Sequence, residues 1–215
     1  MFTFPSRHVL AEGTTEIECR LVVVGCAIQF LDMLLEGFGE ILLPLDAEIV
    51  QVGTRDYQGI TRPLGTGTVI RHPENMAVLS ILDVAEKRIW TDTTLHIRML
   101  SPLRLFEDGH LLRRFDFNRF AMSLLRRVTS LAYYYGAYEF DLDYKELARD
   151  AAAVTCTHDH FSLRTEKVRM VTGLTGSGRF QGDFSRLMPF LSAGLYVHVG
   201  KGSAFGMGAY ELLEW

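Results

Sequence analysis

The run from Tyr196 to Leu212, YVHVGKGSAFGMGAYEL, decides how the chain is read. With Leu195 in front of it, the first half alternates: Leu195, Val197 and Val199 fall on one side of an extended segment, Tyr196 and His198 on the other. A closing strand over 195–200 is therefore expected, with the aliphatic set packed inward and Tyr196 and His198 facing out. Next come Gly200, Gly202, Gly206 and Gly208, four glycines in nine residues. Such spacing lets a backbone approach a ligand closely and turn amide N–H groups toward an anion, while Lys201 adds a compact positive charge. Phosphate is the natural ligand. A Rossmann fingerprint does not fit, because the third glycine falls one position late and no helix follows to receive a pyrophosphate. A P-loop does not fit either, since no Gly-Lys-Ser/Thr opens a helix.

Working back from that tail, the text supplies the rest of a compact unit. TLHIRMLSPLRL, from Thr94, alternates so that Leu95, Ile97 and Met99 point one way and His96, Arg98 and Leu100 the other. The clearest helix spans 117–135. Its apolar stripe is Phe117, Phe120, Leu124, Val128, Leu131 and Tyr135, with Asp116 placed to cap the start and Gly136 to end it. A shorter helix at 143–152 reads as an insertion. Strand-like segments at 160–165 and 168–180 form a hairpin, and a short helix over 184–191 ends at Gly194. Strand, helix, strand, strand, helix, strand is the ferredoxin-like order. Its helices cover one sheet face, so Tyr196, His198, His96 and Arg98 should gather on the open one.

The front half is less regular. Residues 15–25, TEIECRLVVVG, read as a strand buried on both faces. Ile28, Leu31, Leu34 and Leu35 have helical spacing, ended by Gly37 and Gly39 as caps. From 41 to 90 the text consists of short strands and turns. We divide the chain at 92/93: 1–92 as a partial N-terminal domain, 93–215 as the C-terminal ferredoxin-like domain, in an α+β protein.

Composition agrees with a folded chain. Of 215 residues, 48% are hydrophobic and 22% charged, which excludes disorder, collagen repeats and a coiled-coil rod. No apolar run reaches the length of a membrane span and no secretory signal opens the chain, so a cytoplasmic location is expected. Three scattered cysteines, Cys19, Cys26 and Cys156, suggest neither a disulfide framework nor a zinc clamp, and read as mostly buried thiols. The net charge of −4 is unevenly spread: −6 over residues 1–93 and +2 over the remainder. A polyanion would meet the second half.

The tail, together with LSPLRLFEDGHLLRRFDFNRFAMSLLRRVTSLAYYYG and GLTGSGRFQGDFSRLMPFLSAG, resembles the RAMP proteins, and specifically the CRISPR precursor-RNA-processing endoribonucleases. The likeness covers about 94–213. It implies two tandem ferredoxin-like domains holding a CRISPR repeat, cut without metal or cofactor to leave a 2′,3′-cyclic phosphate. CRISPR repeat RNA, as precursor or mature crRNA, and other Cas effector subunits are the implied partners. The front of the chain resembles only the later part of the family's N-terminal domain.

That chemistry needs a base for the 2′-OH, an acid for the 5′-oxygen and cations for the pentavalent oxyanion. His198 is the leading candidate for proton transfer, with His96 and Tyr196 beside it. RNA contacts are expected from Lys201, Gly200, Gly202, Ser203, Gly206, Gly208 and Arg98, and from Arg164, Lys167, Arg169 and Arg179 on or beside the hairpin. Arg113, Arg114, Arg119, Arg126 and Arg127 suit a phosphate-contacting flank or a solvated helix surface, and Tyr133, Tyr134, Tyr135 and Tyr138 suit base stacking or a helix end with Tyr135 in the core. Cys156, His158 and His160 are potential metal ligands, but with no second cluster they read as a solvated loop. A non-catalytic RAMP subunit that binds the processed repeat and scaffolds an effector complex is the alternative function. A small-molecule-binding regulatory domain is a more distant one.

Overall fold

The computed structural model describes residues 2–9, 15–80, 93–166 and 171–213. The chain divides into two compact units, Met1–Val22 with Ala85–Trp215, and Val23–Val84. In the first, β1 (Phe2–Val9) and β2 (Thr15–Leu21) form an antiparallel pair. The run expected to be buried on both faces is instead exposed from Glu16 to Arg20, where β2 pairs with β1 and, among the described residues, with no other strand.

The second unit opens with a 3-10 turn, Gly25–Phe30, leading into α1 (Leu31–Leu42). Gly37 and Gly39 lie inside this helix and do not cap it; the chain leaves through a second 3-10 turn and Asp46 in the left-handed region. Strands β3 (Gln51–Arg55), β4 (Thr61–Thr66) and β5 (Val69–Ile70) make a three-stranded antiparallel sheet, the short strands and turns the sequence suggests.

The first unit resumes with β6 (Thr94–Leu103), the small β7 (Phe106–Glu107) and β8 (His110–Leu111) pair, and α2 (Phe117–Gly136). Asp116 caps α2, accepting from the Arg119 amide at 2.9 Å. After α3 (Tyr144–Ala153) come β9 (Thr155–Asp159), β10 (Ser162–Glu166), β11 (Val171–Gln181), α4 (Met188–Val197) and β12 (Tyr210–Leu213). The sheet order β12–β6–β11–β10, antiparallel throughout, is ferredoxin-like, with β9 also paired to β11. Cys156, His158 and their neighbours thus form an exposed edge strand where a loop is expected. All three cysteines are exposed, contrary to the expectation of buried thiols.

The α2 stripe is buried at Phe117, Phe120, Leu124 and Val128, but Tyr135 in the last turn is 49% exposed. The largest correction concerns the tail. Residues 195–197 finish α4, and the closing strand lies beyond the glycine-rich segment at Tyr210–Leu213. Packing explains the difference. A Cβ at Gly194 would collide with Tyr210 Oη and Leu124, so the glycine lets α4 lie directly against β12 and α2 and does not end the helix. The Tyr210 hydroxyl donates to the Leu191 carbonyl at 2.6 Å, fastening helix to strand. With Met188 and Phe190–Gly194 buried, tertiary packing holds α4 firmly enough to carry it on through the half-buried Leu195, Tyr196 and Val197, which read as a strand.

Candidate nucleic-acid interface

The sheet's open face is built as β6 dictates. Leu95, Ile97 and Met99 are buried, while His96 is half-buried and Arg98 and Leu100 are exposed. Antiparallel register places His96 between Arg179 of β11 and Leu213 of β12, and Arg98 between Ser177 and Glu211. Arg98 Nε donates to Glu211. On the far side of β11, His158 stands opposite Arg179. His158, Arg179 and His96 therefore form one row across three strands. With strands about 4.8 Å apart, the two histidine backbones are separated by about 10 Å. Burial first, then Arg179 and Arg98, hold the His96 pKa below the usual histidine value, against a smaller opposing effect of Glu211. The imidazole is neutral near pH 7 and able to accept a proton.

Tyr196 and His198, expected on this face, are not there. Tyr196 is half-buried in the last turn of α4. His198 caps that helix with φ 55° and is only 4% exposed. Its pKa is pushed down to about 4, by burial first and then by the Arg127 guanidinium. On the β12 side, the residue opposite His96 is Leu213.

Between α4 and β12 the glycine-rich segment folds into a tight loop, with φ from 68° to 85° at its four glycines. Much of its amide inventory is spent inside the protein. Lys201 N donates to Arg104 O, Gly208 N to Pro102 O, Met207 N and Phe205 N to Gly202 O, and Gly206 N to Ser203 O. Ser101 Oγ donates to Gly206 O at 2.7 Å and accepts from Ala209 N at 2.9 Å. A Cβ on Gly208 would overlap the Val199 carbonyl, so glycine is required where the chain doubles back. Ser203, Gly206 and Gly208, expected at the ligand, are buried; Gly200 and Gly202 are half-buried and Lys201 is exposed. Lys201 Nζ sits 5.2 Å from the centre of the Phe106 ring and Arg104 Cζ sits 5.8 Å from it. Phe205, beside this cluster in sequence, is 80% exposed. Arg104, Phe106 and Phe205 escape a reading by residue class, although Arg104 stands in the quoted Pro-Leu-Arg turn.

Of the hairpin cations, Arg164 is exposed on β10 with Nε on Ser162 Oγ at 3.1 Å, and Arg179 lies mid-sheet. Lys167 and Arg169 lie outside the described residues. Among the described residues no group of three or more His, Cys, Asp or Glu is placed to hold a metal. No helix among them is long and apolar enough to cross a membrane.

A ferredoxin-like sheet whose last helix returns to the edge strand through a glycine-rich loop defines a RAMP-type unit. The profile of the family described as CRISPR-associated endoribonuclease Cas6 matches residues 97–210, more than half the chain. The chain belongs to that family. Its fold is similar to a Cas6 product complex at TM-score 0.60 and 15% identity, over 99% of this chain and 81% of that one. A Cas6 substrate mimic complex is similar at TM-score 0.54 and 18% identity, over 99% and 84%. Thermus thermophilus Cas6 is similar at TM-score 0.51 and 14% identity, over 71% and 66%. Curated proteins show no match to the sequence.

Proposed function

We propose that this chain binds CRISPR repeat RNA and cuts the precursor by metal-independent attack of a ribose 2′-OH on its own phosphate. The His158–Arg179–His96 row carries the reading. Neutral His96 accepts the 2′-OH proton as the O2′–P bond forms. Arg179, between the histidines, offsets charge on the phosphoryl oxygens. His158 is the proton donor to the departing 5′-oxygen as the P–O5′ bond breaks, leaving a 2′,3′-cyclic phosphate. Lys201 and the neighbouring aromatic rings bind RNA beside the reacting face. Buried His198 and half-buried Tyr196 hold the end of α4 in this scheme and do not move the proton.

The test is incubation of the purified chain with its cognate repeat RNA in EDTA. A single cut with a cyclic-phosphate end is expected, slowed about a hundred- to ten-thousand-fold by His96→Ala and by His158→Ala. Undiminished cleavage by both variants overturns the assignment. A second reading, a non-catalytic subunit that holds the processed repeat within an effector complex, is favoured by the burial of His198, the one histidine adjoining the glycine loop. Tight repeat binding without any cut would establish it.

A further inference from the structure

Away from the sheet's open face, helix α2 carries a second surface on which arginine and hydroxyl groups lie among Leu131 and the Tyr135 ring. Ser123, Arg126, Arg127, Ser130 and Tyr134 recur at helical spacing and, with Gly200 at the start of the glycine loop, line an open groove of about 360 Å³. Its lining supplies two guanidinium groups and several hydroxyls and contains no carboxylate. The whole 20-residue helix, FNRFAMSLLRRVTSLAYYYG, has no acidic residue. The core does not need this face, since the helix buries Phe117, Phe120, Ala121, Leu124, Leu125 and Val128 on the other side.

The groove is built as well as charged. Arg127 Nε donates to the Val197 carbonyl at 2.7 Å, which fixes the plane of its guanidinium beside Gly200. Tyr134 is 75% exposed and meets Tyr133 edge-on at 5.2 Å, so the ring stands clear of the helix with one neighbour bracing it. The volume suits one nucleotide and is too small for a duplex. Arginine donors fit a phosphodiester, and an exposed tyrosine offers a base a stacking surface. Gly200, at the groove's edge, is followed in the chain by Lys201, whose ammonium and neighbouring Phe106 repeat the same pairing of cation and ring.

We propose that this groove is a subsite for single-stranded RNA, holding one unpaired nucleotide with its phosphate on Arg126 and Arg127 and its base on Tyr134, the strand continuing past Gly200 to Lys201. This inference rests on the RNA-binding half of the proposed function and is independent of cleavage.

The test measures fluorescence anisotropy of the full chain with a labelled single-stranded RNA octamer and, separately, with the folded repeat, between 50 and 200 mM salt. Arg126 and Tyr134 are exposed, so Arg126→Ala and Tyr134→Ala should keep the wild-type circular dichroism. Each is expected to weaken octamer binding about tenfold. Arg126→Ala should also flatten the salt dependence by about one ion while Tyr134→Ala leaves the slope alone. Arg149→Ala, an exposed arginine on α3, removes the same charge elsewhere and should stay within about twofold of wild type. Wild-type octamer affinity in both groove variants overturns the subsite while leaving repeat binding in place. Binding of the folded repeat but not of the octamer overturns it as well. Failure to bind either RNA overturns the subsite and the proposed function together.

Discussion

Arg127 and Val197 join the two helices that cover the sheet: Nε of the arginine, on α2, donates to the last helical carbonyl of α4 at 2.7 Å. The contact sits one residue ahead of His198 and three ahead of the glycine loop, so it holds the loop's point of departure. It also places a guanidinium near His198, where it helps to keep that ring neutral.

Arg127→Met should cost about 2 kcal/mol of stability, the usual worth of a hydrogen bond from a charged donor, as measured by urea unfolding. Removing the cation should also raise the His198 pKa, read from the titration of its ring protons by NMR. An unchanged titration would mean that burial alone sets it.

His198 makes stability pH-dependent in a defined direction. Its ring titrates near 4 when folded and near the ordinary value of about 6.5 when unfolded. Between those values the unfolded chain binds more protons, so this contribution is complete above pH 6.5 and is lost as pH falls toward 4. The loss should be about 2 kcal/mol after allowance for solvent screening. His198→Asn, which removes the titrating ring, should flatten that limb of the stability curve. A wild-type curve in the variant would refute the assignment.

Gly208→Ala should be among the most damaging single changes in the tail. The φ of 68° and the overlap of the new methyl with the Val199 carbonyl oppose it together, and no flexible side chain is there to yield. A loss of about 3 kcal/mol or more is expected by denaturant titration. Because β12 pairs with β6 immediately after this glycine, amide exchange should rise first at Tyr210–Leu213.

Lys201→Ala should weaken binding to every RNA sequence alike and reduce the slope of log affinity against log salt by about one. Stability should barely change, because the ammonium is exposed. A sequence-dependent loss would point to base contact and against a backbone role.

Legibility differed between the two ends of the sheet. β6 was read correctly residue by residue because both its faces are decided by burial, so period-two alternation reports them directly. Phe117, Phe120, Leu124 and Val128 were legible for the same reason on α2, but Tyr135 was not, since its last turn runs past its packing partners. At the other edge, alternation at 195–199 suggested a strand, and Gly194 a helix end; the close contact of Gly194 with Tyr210 and Leu124 overrode both. The candidate histidines moved accordingly. His96 kept its place, His198 went inside, and His158 joined the open face only through its pairing with Arg179.

Taken alone, then, the order of amino acids determined the strand, helix and hairpin of β6, α2, β10 and β11, the inward and outward sides of β6, the start of α2 at Asp116 and the family to which the glycine-rich tail belongs. Those properties depend on neighbours a few residues apart or on a spacing that only a few folds use. The tertiary structure alone decided which glycine ends an element and which admits a close contact, and which cations share a groove or a row. Such facts arise when segments far apart in sequence compete for the same space, and no local pattern records which of them yields.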